Sequence, residues 1–363
     1  MRKRYLAVLF AVLPIESTFA QSNVTLYGLI DAGVSYVSNQ GGHSVTKFDD
    51  GIYAPNLFGL SGSEDLGGGT KAIFKLESQF QVGTGALLQQ GLFGRNAYVG
   101  LENARFGTVS LGNIYDFMFT SLTEAGNAPG FFSGGLYNFA AGPFQKLNLP
   151  QNPTGWFDWS RTTGMALSNS IRYQSPVFAG LSAGALYAPG GVAGSFGSNS
   201  AMSFGLNYVA GPFGLGAAYT QKKYPGSTGG SPQIPVWNWG VGAHYVLGPV
   251  YTVADFVSVR NSFSGAAAYA GQVGASWQIA PAWSLGASYM YMKGNDVLDN
   301  NHANQFGATL NYSLSKRTMV YAEGVFQRAN SGAQAAINGI MDPAESSSSA
   351  TQAIARVGLH TTF

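Results

Sequence analysis

The chain has 363 residues, no cysteine, 50 glycines and only 10% charged side chains. No disulfide can stabilise it, and its charge, against about a quarter in a soluble domain, is too sparse for an ordinary water-facing surface. The formal net charge is +2, and beyond the N-terminal "MRKR" no basic cluster is longer than Lys222-Lys223 or Lys316-Arg317, which argues against a nucleic-acid partner.

At the N-terminus, "MRKR" is a basic n-region, "YLAVLFAVL" an apolar h-region, and "STFA" places small residues at Thr18 and Ala20. Residues 1–20 are predicted to be a signal peptide. Nine apolar residues are too few for a membrane anchor, which needs about 20 in helical form. Loss of Arg2, Lys3, Arg4 and Glu16 from the 19 basic and 17 acidic residues leaves sixteen of each, so the basic excess vanishes. No later run of 18 apolar residues exists, which excludes helical membrane spans.

The mature chain alternates with period two. "NVTLYGLIDAGVSYV" puts Val24, Leu26, Ile30, Ala32, Val34 and Tyr36 on one face and Thr25, Tyr27, Asp31, Gly33 and Ser35 on the other. In "TKAIFKLESQF" the apolar face holds Ala72, Phe74, Leu76 and Phe80, and the polar face Lys71, Lys75, Glu77 and Gln79, with Ile73 the exception. "GSEDLGGGT" before it is not a phosphate-binding loop: Lys71 is followed by Ala72 rather than Ser or Thr, and strand alternation begins at once. The glycines are predicted to turn a hairpin.

The same pattern recurs to the C-terminal "IARVGLHTTF", giving sixteen predicted strands. Connections such as "DLGGG", "ENARFG", "AGPFG", "LGP" and "APA" are short, and the intervening ones are longer. An even strand count, apolar-out and polar-in alternation and one-sided long loops describe a closed all-β antiparallel transmembrane barrel, since lipid offers no partner to an open sheet edge. A secreted sandwich or propeller would need a charged exterior that this chain lacks. Residues 116–166 form one long connection without a clear strand; the expectation is that it folds into a lumen too wide for wall side chains to fill, the alternative being an extracellular flap.

These segments resemble the Gram-negative general porins of the beta-proteobacterial type. The resemblance covers essentially the mature chain, through "VTLYGLIDAGVSYV", "FGLSGSEDLGGGTKAIFKLESQF", "LFGRNAYVGLENARFGTVSLGNIYD", "SNSIRYQSPVFAGLSAG" and the terminal "VGLHTTF". It implies a homotrimer of sixteen-stranded barrels in the outer membrane, each a water-filled pore narrowed by its third extracellular loop and passing ions and small hydrophilic solutes, without a cofactor. The chain departs from the family's basic ladder at Leu57, Ser61 and Ala166, and at Asn113, where Arg is frequent.

Selectivity in such a pore is steric and electrostatic. The pore-lining basic candidates are Lys71, Lys75 and Arg172, with Arg161 near the loop's return; the acidic ones are Asp116, Glu124 and Asp158 in the loop and Glu77 on the wall. Leu57 and Ser61 share the lumen face by parity. Arg95 shares parity with the apolar Ala97, Val99 and Leu101 and is expected to face away from the lumen unless a bulge intervenes. The pore is therefore expected to be less basic than its relatives. Phe131, Phe132, Phe144, Trp156, Phe157 and Trp159 either anchor the long loop or form a stacking site for a sugar or aromatic acid. His43, His244, His302 and His360 show no metal spacing, and no nucleophile motif surrounds a serine, so an enzyme is not expected.

Overall fold

The period-two alternation carries through as a barrel wall, because each strand has one face in lipid and the other in the lumen. The structure, a computed structural model, describes residues 23–89, 91–138, 142–144, 164–226, 233–337 and 346–363. The predicted signal peptide lies outside them. The described strands are β1 (Asn23–Gln40), β2 (His43–Asp50), β3 (Leu57–Gly67), β4 (Thr70–Gln79), β5 (Asn96–Asn103), β6 (Gly107–Tyr115), β7 (Ala166–Gln174) and β8 (Leu181–Ala188). They continue as β9 (Ala201–Ala210), β10 (Phe213–Tyr224), β11 (Ile234–Leu247), β12 (Val250–Asn261), β13 (Ala267–Ala280) and β14 (Trp283–Gly294). β15 (His302–Ser313), β16 (Thr318–Ala329) and β17 (Thr351–Thr362) complete the wall.

Every pairing is antiparallel between neighbours, and β17 pairs with β1 over Leu29–Val37 to close the cylinder. The seventeen strands make sixteen wall positions. β3 pairs with the first half of β1, from Asn23 to Leu29, and β2 pairs with the same edge from Ala32 to Gln40. β2 and β3 are thus one wall position broken at residues 51–56, as the sixteen-stranded prediction requires.

The break has a physical cause. Asp31 on β1 accepts the backbone N–H groups of Ile52 and Tyr53 at 2.8 and 3.0 Å, and its own N–H donates to Asn56 Oδ1 at 2.7 Å. Pro55 cannot donate to a ladder. The freed carbonyl of Ile52 accepts the N–H of Leu136 from the long β6–β7 connection at 2.6 Å. The irregular stretch therefore docks that connection against the wall.

The tight turn between β3 and β4 runs through Gly67, Gly68 and Gly69 at φ of 82°, 60° and 75°. Three successive left-handed residues are open only to glycine at low cost. The glycine-rich stretch is thus a hairpin turn, as read from the sequence.

The lipid-facing side is apolar and aromatic, from Leu26 and Val34 on β1 to Trp277 on β13 and Phe306 on β15, all exposed to the surroundings of the barrel. The buried core lies inside the cylinder. Phe117, Met118, Leu122 and Phe144 of the long connection pack with Leu167, Leu186, Val257 and Met290 of the wall.

Candidate functional site: the pore constriction

The long connection enters the lumen at Asp116. Its carboxylate accepts the N–H groups of Phe119 at 3.2 Å and Met165 at 3.3 Å, and the Thr220 hydroxyl at 2.9 Å. One side chain thereby ties the departing and returning ends of the loop to each other and to β10. Asp116 is fully buried. As a correction to its reading as a pore-lining acid, it is a structural anchor, because its oxygens are consumed by these donors.

Beyond Asp116, a π-helical turn at Phe119–Glu124 crosses to the far wall, and two short 3-10 turns, Gly130–Phe132 and Gly135–Asn138, follow. The wall beneath is lined with glycines. A methyl group at Gly242 would overlap the carbonyl oxygen of Asn127, and one at Gly286 would overlap that of Phe132. The loop backbone can lie flat on the sheet only because these side chains are absent. Asn127 Oδ1 and His244 Nδ1 are 2.8 Å apart, Tyr251 donates to the Gly126 carbonyl, and the Gly134 N–H donates to Thr309 Oγ1 at 2.7 Å. Tyr137 donates to Asp49 Oδ2 at 3.2 Å and lies 3.0 Å from Ser35 Oγ. Burial, reinforced by the Asp49 charge, pushes its phenol well up from the ordinary value, so it remains a neutral strut.

Docking on that side leaves a gap on the other. A cavity of about 350 Å³ separates the π-helical turn from the wall of β3–β7. Lys75, Arg95 and Arg172 line it together with Glu77, Glu102 and Glu124. Glu77 sits at the centre of the wall cluster, 2.8 Å from Arg95 Nε and 3.1 Å from Lys75 Nζ. It also accepts the Tyr27 hydroxyl at 2.8 Å and the Asn96 amide at 3.1 Å. Arg172 donates to Thr120 Oγ1 at 3.2 Å and to the Tyr115 carbonyl at 3.4 Å, with its guanidinium 4.4 Å from the Phe117 ring centroid. Fixed charges of both signs thus border one cavity between the described part of the loop and the wall.

A family model described as Gram-negative porin matches residues 7–332. The chain belongs to the Gram-negative porin family. It is similar to an outer membrane porin protein of Bordetella pertussis, 26% identical over 307 residues that cover 74% of this chain and 72% of that one. It is also similar to major outer membrane protein P.IB of Neisseria gonorrhoeae, 29% identical over 368 residues covering 92% and 95%. Among solved structures, the anion-selective porin from Comamonas acidovorans superposes with a TM-score of 0.74 at 22% identity, over 94% of this chain and all of that one. The trimer form of OmpT from Vibrio cholerae does so with a TM-score of 0.65 at 12% identity, over 94% and 99%. At these identities the structural matches speak for the fold. The protein is an outer-membrane porin, a passive channel, and its family and fold are those of channels rather than enzymes.

In the porin, Lys75, Glu77, Glu124, Arg172 and Leu57 all border the constriction cavity. Ser61 pairs with Lys75 and so shares its lumen face. Lys71 pairs with Glu102 and Asp65 toward the short turn, outside the cavity. Asp158 and Arg161 lie outside the described residues, as do Trp156, Phe157, Trp159 and the Phe131 side chain. Phe132 meets Tyr251 edge-on at 6.0 Å and Phe144 is buried in the loop–wall core, so both anchor the loop.

A parity reading and a position given by the resemblance are corrected. Arg95 turns into the lumen: it precedes the first paired residue of β5, and its backbone N–H bonds the Glu77 carbonyl at the ladder's end, where alternation no longer governs. Ala166, which the resemblance assigns to the basic row, stays paired with Tyr115 but leaves the face of Arg172 for the opposite reason. A bulge, with Asn169 at φ 57°, inserts a residue in β7 between Ser170 and Leu167 and flips the faces beyond it. Ala166 consequently lines a separate recess with Gln89, Gly94 and Asn113, while Leu167 takes the inward position. Glu102 escaped the sequence reading, although its register with Lys71 is visible in the alternation of "AYVGLEN" once Asn96 is taken as inward.

Proposed function

We propose that this porin is a weakly ion-selective diffusion channel for small hydrophilic solutes, with its narrowest point between the Phe119–Glu124 turn and the β3–β7 wall. The observation that carries the reading is the balance of charge at that point: three cations and three carboxylates border one cavity. A transverse field between separated clusters of opposite sign would concentrate one ion type. Here the wall carboxylate of Glu77 lies between two wall cations, so the field is largely cancelled locally. Leu57 and Ser61 leave uncharged the positions where the family resemblance implies basic residues. Residues 116–166 serve as the constriction loop, residues 1–20 direct export, and the barrel works as a homotrimer, as the trimeric likeness of the Vibrio cholerae protein suggests by analogy.

The test is liposome swelling with purified porin and solutes of matched size. Neutral, anionic and cationic sugar derivatives should enter at similar rates. A rate ratio of tenfold or more between anion and cation would contradict the reading.

A further inference from the structure

On the lipid-facing side, β12, β13 and β14 place Phe256, Gly271 and Tyr291 directly across from one another. Phe256 and Tyr291 project into the surroundings, 37% and 42% exposed. Gly271 between them has open space where a side chain would stand. The missing side chain leaves a groove of about 610 Å³ at the long-loop end of the barrel, walled by the two rings and by Tyr269. The slot itself is apolar, and polar groups gather at its mouth, where Lys293, Asp296 and Asn300 stand.

Lys293 pairs across the sheet with Tyr269 and His302, and it forms no ion pair among the described residues. Arg260 on β12 and Arg328 on β16 are exposed on the same outward face at the same end, their neighbours Val259 and Gln327 pointing inward and buried. Below this row the outward positions of these strands carry no charge, for example Val273, Ala275 and Trp277 on β13. Cations at the membrane interface above an apolar slot match an anionic headgroup above an acyl chain. Amide and carboxylate groups at the mouth add donors and acceptors for sugar hydroxyls.

We propose that this groove is a binding site for a phosphorylated glycolipid of the outer leaflet. One acyl chain lies over Gly271 between Phe256 and Tyr291, a phosphate meets the Lys293 ammonium, and the sugar is held by Asn300 and Asp296. Arg260 and Arg328 extend the electrostatic row to either side.

The test is native mass spectrometry of the full-length mature porin in detergent, titrated with bis-phosphorylated lipid A. Comparison ligands are the same lipid without phosphates and inorganic phosphate. Lys293→Gln should weaken lipid A binding about fivefold, the contribution of one basic residue near an anionic surface. Gly271→Leu, which fills the slot without meeting the backbone, should weaken it by at least as much. Removal of the lipid phosphates should cost a similar factor, and millimolar inorganic phosphate should not displace the lipid. Heat-modifiable gel mobility and single-channel conductance verify that both variants are folded. Wild-type binding in either variant, equal binding of the dephosphorylated lipid, or displacement by inorganic phosphate overturns the proposal. Loss of the oligomer in Gly271→Leu would overturn it too, since the groove would then receive a second copy.

Discussion

Arg95 and Glu77 are joined at 2.8 Å on the cavity wall, where Arg95 precedes its strand and Glu77 forms the last pair of the neighbouring strand's ladder with Asn96. Both side chains are largely buried, and the same carboxylate holds Lys75 at 3.1 Å. Glu77 therefore holds two wall cations and offsets part of their charge.

Glu77→Gln should make the channel anion-selective. The substitution releases Arg95 and Lys75 from their shared carboxylate and shifts the local potential positive. A shift of about one kT, modest beside the several kT that charged clefts develop, would raise the anion-to-cation ratio roughly sevenfold. Reversal potentials of variant and wild type in the same salt gradient check this; an unchanged ratio would show that Glu77 does not set the field.

Leu57→Arg should move selectivity in the same direction, because Leu57 borders the cavity. Ala166→Arg should have a much smaller effect, because the bulge in β7 turns Ala166 into the separate recess. Measuring the two variants side by side distinguishes the structural register from simple sequence parity. Equal shifts would contradict the placement of the bulge.

Gly242→Val and Gly286→Val should dislodge the inward loop while leaving the barrel closed. Each adds atoms where a loop carbonyl lies on the sheet, and such overpacking costs about 1–3 kcal/mol. The expected result is a folded barrel by heat-modifiable gel mobility, with noisier current and altered conductance. Variants with wild-type single-channel traces would show that the loop does not rest on these glycines.

Arg356→Met should lower thermal stability strongly. Arg356 and Asp31 are both fully buried and lie 3.3 Å apart, with Tyr321 donating to Asp31 at 2.7 Å and receiving Arg356 Nε at 2.8 Å. Removing the cation leaves Asp31 uncompensated, at a cost of about 3–5 kcal/mol. The temperature at which the barrel loses its compact gel mobility should drop. Because Asp31 also holds the break between β2 and β3, proteolysis near residues 51–56 should rise in parallel.

The wall was legible in the sequence because lipid on one side and water on the other impose a strict period of two, which local residue identity records. The hairpin at Gly67–Gly69 was legible for a similar reason, its left-handed backbone being open mainly to glycine. What escaped were departures from the ladder. The inward turn of Arg95 and the flip at Ala166 arise where a strand ends or gains a residue, and neither event leaves a local signature. Asp116 had the composition of a pore acid, but its partners Thr220 and Met165 are 104 and 49 residues away in the chain. The break in the first hairpin was hidden because its carbonyl is satisfied by Leu136, a residue of the long connection far away in the chain.

The most direct measurement of the charge-balanced constriction is the zero-current potential of purified wild-type channels in a planar bilayer under a tenfold KCl gradient. Perfect selectivity for either ion gives roughly 59 mV in magnitude. The balanced cavity predicts a potential within about 15 mV of zero, a minor fraction of that limit. A value close to the chloride limit would contradict it, since the three carboxylates at the cavity would then be failing to offset the three cations beside them.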